Sequence, residues 1–299
     1  MNAKTASLSL SFAVAALLAA PLAQAGSPID KRAAADPAGQ VEISNVAGAV
    51  TVTGWDRAEV EVTGELGKGV ERLEFTSAGK LTRIKVVLPN RAWNVEDTTL
   101  VIKVPALSSI NVNTVSADIE ARAVQGSQRL QSVSANIATE AGSEDVEIKT
   151  VSGDVRVNGD ARKGMLTLTT VSGDATVTRV AGEVNGSTVS GNFTLGLGEV
   201  SRARLRLTSG DLSLAAFLPG DGRLDVESIS GDVKMRFAPP LNTEFDLSSF
   251  SGDIENCFGP EPQRTDEFAP GKELRFSEGT GGGRVRVKTL SGDVDLCKL

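Results

Sequence analysis

One phrase, Ser-Gly-Asp preceded by an apolar residue, returns through this 299-residue chain at nearly constant spacing. Counting degenerate copies, its serine falls at Ser116, Ser134, Ser152, Ser172, Ser190, Ser209, Ser230, Ser251 and Ser291. The gaps are 18, 18, 20, 18, 19, 21 and 21 residues, and then 40. A period of about 20 residues predicts stacked coils, because one such repeat buries its apolar side only against its neighbours.

Positions within a repeat are counted here from its serine. Position +3 holds Ile119, Ile137, Val155, Ala175, Phe193, Leu212, Val233, Ile254 and Val294, and position +5 is mostly apolar; position +4 between them is mostly polar. That alternation predicts a half-buried β-strand after each serine. A second strand precedes it, with Val112, Leu130, Ile148, Leu168, Gly186, Leu205, Val226, Leu247 and Val287 at −4. Position −1 is apolar too: Val115, Val133, Val151, Val171, Val189, Ile229, Phe250 and Leu290, broken by Thr208. Positions −4 and −1 have opposite parity, so placing both inward predicts a bend between them. Ser-Gly-Asp continues that corner, with glycine relaxing the backbone and Ser/Asp side chains bonding nearby amides.

The predicted fold class is therefore all-β: a parallel β-solenoid of about 20-residue coils, stacked at about 4.8 Å each. Residues 106–299 form this repeat region, with the glycine-, proline- and charge-rich stretch 258–283 as a loop excursion. Residues 40–105 follow different rules and are expected to form an N-terminal β cap, although Val46-Ala47-Gly48-Ala49 is one degenerate repeat. Segment 26–39 is expected to be a disordered tail.

Residues 1–25 have the form of a signal peptide: Lys4, an apolar run over about residues 8–20, and Ala23-Gln24-Ala25 before Gly26. The mature chain is expected to be periplasmic or secreted, and no later run is long and apolar enough to span a membrane. A formal net charge of −7 argues against nucleic acid as a partner. There is no histidine, which removes Ser-His-Asp and Cys-His catalysis and most transition-metal sites. There is no tyrosine either, so a sugar-stacking platform falls to Trp55, Trp93 or phenylalanine; burial in the cap is the plainer role for both tryptophans. No cofactor is expected.

The combination of VEISNVAGAVTVTGW, LVIKVP and the repeated TVSGDVRV resembles a bacterial β-strand-repeat family of unknown function that carries the label "putative adhesin". The resemblance covers nearly the whole chain beyond the leader. It implies the repeat fold and an adhesin-like surface.

Four groups of residues are candidates for chemistry. Cys257 and Cys297 each stand six residues after a repeat serine, one ladder step apart, which predicts a disulfide in an oxidising compartment. Asp118, Asn136, Asp154, Asp174, Asn192, Asp211, Asp232, Asp253 and Asp293 should line one edge, either bonding their own turn amides or holding calcium. At −7, −5 and −3 charges alternate, so that Arg204 should face Asp225, Arg206 Glu227, Glu244 Arg284, and Asp246 Arg286. A polysaccharide- or phosphate-binding stripe is the competing reading of those columns. Gly279 to Gly283, interrupted by Thr280, lacks the Lys-Ser/Thr of a phosphate loop and reads as a flexible loop.

The leading functional expectation is a non-catalytic envelope scaffold or adhesin-like binding surface, with an unidentified envelope component or polysaccharide as partner. A β-helix carbohydrate-active enzyme, with paired carboxylates in a cleft, is one alternative. A filament assembling through an uncovered terminal edge is another.

Overall fold

The computed structural model describes residues 26–90, 95–265 and 270–299, so residues 1–25, expected as a signal peptide, and Trp93 lie outside the described residues. The N-terminal part contributes β1 (Ser27–Ala34), β2 (Gln40–Trp55), β3 (Glu59–Leu66), β4 (Arg72–Ala78), β5 (Leu81–Val87) and β6 (Thr98–Pro105). The repeats follow as β7 (Ser109–Arg122), β8 (Gln128–Gln131), β9 (Ile137–Ala141), β10 (Val146–Lys149), β11 (Val155–Gly159), β12 (Lys163–Thr169), β13 (Ala175–Thr178) and β14 (Ala181–Thr188). The second half holds β15 (Phe193–Ser209), β16 (Leu212–Phe217), β17 (Arg223–Ser230), β18 (Val233–Phe237), β19 (Thr243–Ser249) and β20 (Ile254–Asn256). The chain closes with β21 (Gln263–Arg264), β22 (Lys272–Glu278), β23 (Gly283–Ser291) and β24 (Val294–Lys298). The described residues are all-β.

Two parallel ladders run through the repeats. Strands before the serine pair repeat to repeat, as in β8–β10–β12–β14, and strands after it pair likewise, as in β9–β11–β13. Register matches repeat position to repeat position: Ile148 opposes Leu130 and Leu168, and Val155 opposes Ile137 and Ala175. The inward columns at −4, +3 and +5 merge into one buried cluster. Gly186 is the exception at −4, and the missing side chain is replaced from within its own repeat. A methyl there would stand 2.8 Å from the Phe193 ring, which fills the space.

The sheet is mixed rather than wholly parallel, because antiparallel strands close the ends. β5 and β6 run parallel to the two halves of β2, and β4 then turns back on β5 while β3 turns back on β6. β2 itself lies in register with β7 across both ladders, with Ala47-Gly48-Ala49 opposite Ser116-Ala117-Asp118. Residues 40–55 are thus a first coil rather than part of a cap, and the cap proper is β3–β6 with β1. Residues 27–34, expected as a disordered tail, form β1 antiparallel to β3. Ile29 is buried there, which supplies the apolar anchor that the charged segment SPIDKRAA disguises.

This lock contains one buried charge. Arg32, Glu61 and Lys103 stand in register on β1, β3 and β6. The Glu61 side chain is 7% exposed and bridges Lys103 at 2.9 Å and Arg32 at 2.8 Å. The Lys103 hydrogen bond chiefly, helped by the charges of Arg32, Lys103 and Arg57, holds its carboxyl below the usual glutamate range, against desolvation. A depressed pKa in the folded state means the unfolded chain binds the proton more readily, so the contribution is full above the ordinary range and vanishes as pH falls through the lowered value. The stability gap between wild type and Glu61→Gln should accordingly be widest near neutrality and close in acid, as read by thermal melts across pH.

At the other end chain order and stack order part. β23 pairs with β17 on one side and β19 on the other, while β24 lies between β18 and β20. The last coil in sequence is therefore inserted inside the one before it. The −5 column gains from the insertion: Arg286 comes to stand between Asp225 and Asp246, which direct β17–β19 pairing would set against each other. Stretch 258–283, expected as a loop, carries β21 and β22. β22 folds antiparallel onto β19, and Phe276 stacks on Phe245 with ring centroids 4.8 Å apart.

Candidate functional site

The repeat corner organises the surface. Position −2 is serine or threonine in most copies, points inward and is buried, as at Ser132, Thr150, Thr170, Thr188 and Ser249. Oxygens of Thr150, Thr170, Thr188 and Ser249 accept the N–H of the glycine three residues on, at 2.9–3.2 Å. Positions −4 and −2 thus share the inner face, and no inward bend brings −1 to join them. Position −1 points out.

The result is an exposed apolar rib. In stack order it runs Val115, Val133, Val151, Val171, Val189, Thr208, Ile229, Leu290 and Phe250, and its eight apolar members are 41–60% exposed. At one coil per ladder step the nine positions span about 38 Å. The rib is held by backbone: Val115, Val133, Val151, Val171 and Val189 carbonyls accept the serine N–H of the next coil at 2.6–3.0 Å. Around Thr208 the rib dips into a groove of about 420 Å³, between Val171, Val189 and Ile229. An aligned row of exposed apolar side chains is a candidate interaction surface. The parity mismatch between −4 and −1 was its signal in the sequence; read as a bend, it concealed the rib.

Beside the rib the Asp/Asn column forms an unbroken relay. The Oδ1 of each member accepts the backbone N–H of its counterpart on the next coil, at 2.8–3.1 Å, from Asp118 through Asp232 and then through Asp293 to Asp253. These side chains bond the neighbouring coil rather than their own turns as expected. Asp253, the last member, is met by the Lys272 ammonium from β22. Because only an acceptor oxygen is required, Asp174→Asn should change stability by less than about 0.5 kcal/mol. Asp174→Ala should cost about 1 kcal/mol, the worth of one hydrogen bond, in urea unfolding.

Other candidates fall into place around these columns. Cys257 and Cys297 are bonded, with Cα atoms 4.9 Å apart, tying β20 to β24. Arg206–Glu227, Arg284–Glu244 and Arg286–Asp246 form ion pairs at 3.2, 2.9 and 3.4 Å. Arg204 is in register with Asp225 without closing to an ion pair. Trp55 is half-buried rather than enclosed, flanked by Arg57 and Lys103 at 5.0 and 5.3 Å from its ring, with Nε1 donating to the Glu59 carbonyl. Its faces already carry cations.

A mixed all-β repeat stack with a disulfide-tied end and an apolar outer rib defines the class of this protein. The chain belongs to the Toastrack DUF4097 family, which it matches over residues 38–297. It is similar to a solved structure described as "Putative lipid binding protein" from Parabacteroides distasonis ATCC 8503, at 13% identity and TM-score 0.50, over 92% of this chain and 97% of that one. A "putative adhesin" from Parabacteroides merdae ATCC 43184 is similar at 10% identity and TM-score 0.50, over 91% and 96% of the two chains. At these identities the likeness is one of fold. None of the curated proteins matches the sequence.

Proposed function

We propose that this protein is a non-catalytic, exported β-solenoid whose working surface is the apolar rib, and that it binds a component of the cell envelope. The observation that carries the reading is the rib itself: an aligned row of apolar side chains, broken only by Thr208, exposed at a cost the fold could avoid with polar residues. The disulfide supports a periplasmic or extracellular setting. The adhesin label of one solved relative and the lipid-binding label of another agree with a binding role. The corner carboxylates are engaged as amide acceptors, which leaves them poorly suited to acid–base chemistry. Filament growth through the C-terminal edge of the first ladder is opposed by β22, which lies over β19.

The test is co-sedimentation of the oxidised protein with cell-envelope fractions. Val171→Lys combined with Val189→Lys places two charges on the outer face and should leave the fold intact, since these side chains are 41% and 46% exposed and point away from the core. Binding should fall at least tenfold. Equal binding by the variant, or none by the wild type, would sink the reading.

A further inference from the structure

The −7 column departs from charge alternation at one place. In the ladder Arg202 on β15 is in register with Arg223 on β17, and Arg223 with Arg284 on β23. Three guanidinium groups therefore stand on adjacent strands, about 4.8 Å apart at their backbones, where like charges destabilise a sheet. The insertion of β23 creates the second of these clashes while it relieves the −5 column. Arg284 is drawn to Glu244 at 2.9 Å. Arg202 and Arg223 form no ion pair among the described residues, although Glu183 is in register with Arg202 and Asp225 lies two residues from Arg223 on the same face.

A polar depression of about 320 Å³ opens beside them. It is lined by Arg223, Arg284 and Arg286, by the acids Asp225 and Glu244, and by Gly281, Gly282 and Gly283, with Arg202 one ladder step outside it. The glycine segment thus contributes backbone and no side chain to the cavity, which leaves room for a ligand close to the main chain. Each half is visible in the sequence but their juxtaposition is not, because the glycines and Arg223 are some 60 residues apart and meet only through the insertion of β23.

We propose that Arg223 and Arg284 with the Gly281–Gly283 segment form a binding site for a phosphate group, and that Arg202, next to Arg223 in the column, adds its charge from outside the depression. A carboxylate brings a single negative charge, and the Glu244 carboxylate is already engaged by Arg284. A phosphate ester carries up to two charges on three tetrahedral oxygens, so it can be shared by guanidiniums on neighbouring strands through paired N–H···O bonds. Its binding offsets the like-charge repulsion of the column. The site stands apart from the apolar rib and does not depend on the rib's role.

The phosphate has two sources, an anionic lipid headgroup or a soluble phosphorylated molecule, and calorimetric titration with two probes separates them. One arm uses inorganic pyrophosphate at fixed ionic strength; the other uses phosphatidylglycerol vesicles against phosphatidylcholine vesicles. Binding in either arm should weaken at least tenfold in Arg202→Ala combined with Arg223→Ala, and should be unchanged in Arg129→Ala, a distant outward arginine. Pyrophosphate binding assigns a soluble ligand, and phosphatidylglycerol binding alone assigns a headgroup. The double variant should melt no lower than wild type without ligand, since a repulsion is removed, and should lose the rise in Tm that the bound probe produces. Binding in neither arm, or binding that the double variant retains, overturns the proposal.

Discussion

Gly173→Ala is expected to destabilise the protein by about 3 kcal/mol, a large effect for one methyl group. A Cβ at that position would lie 2.0 Å from the Gly153 carbonyl oxygen of the preceding coil. The obstacle is backbone, and it is held on both faces: the Ser172 N–H bonds the Val151 carbonyl below, and Ser190 bonds Val171 above. Neither coil can give way without stretching ladder bonds. The same approach recurs up the column, with Gly191 at 2.0 Å from Gly173 and Gly252 at 2.0 Å from Gly292. Gly196→Ala is the control. It lies in β15 with ordinary φ and its nearest neighbour for a new methyl is 3.7 Å away, so the change should stay within about 0.5 kcal/mol. Urea midpoints of the two variants decide the matter. A Gly173→Ala midpoint near wild type would mean that the coils stack with slack and that the glycine column is not a steric requirement.

Replacing Cys257 and Cys297 by serine is expected to cost about 4 kcal/mol, the loop-closure value for a bridge across 40 residues. The consequence is larger than the number suggests, because of what the bridge joins. β24 is inserted between β18 and β20, and the bridge fastens β20, the outer strand, to β24. Without it the β19–β20–β22 layer can leave as a unit. That exposes the unpaired edges of β23 and β24, and such edges recruit other chains. Reduced wild type and the double serine variant should share one lowered midpoint, and both should scatter light on warming earlier than the oxidised protein. An unchanged midpoint under reducing agent would show that the terminal layer is held by packing, through the Phe245–Phe276 stack, and not by the bridge.

Much of this architecture was legible because it is periodic. The inward columns, the strands on either side of each serine and the pairing partners Arg206–Glu227 and Asp246–Arg286 all follow from position within a repeat, and a ladder transmits that position from coil to coil. The cysteines were legible for the same reason, being equally offset from Ser251 and Ser291. Periodicity failed where the chain stops moving one coil at a time. The placement of β23 inside β19 and the return of β22 over β19 depend on comparing alternative partners across some 40 residues, which no local pattern encodes. β1 was missed because its outward residues are charged and a single buried isoleucine carries its apolar signal.

The repeat, its inward columns and the position of the bridge can all be read from the amino-acid order, since each rests on spacing along one strand or equal offset between two coils. Which way position −1 faces, which coil is terminal, and that Arg223 and Arg284 come together beside three glycines emerge only once the ladders are assembled. The physical reason is the same in each case. Side-chain direction at a corner is set by what the corner's amides bond to, and stack order is set by competition among edges, and both are properties of the assembled ladders rather than of any strand alone.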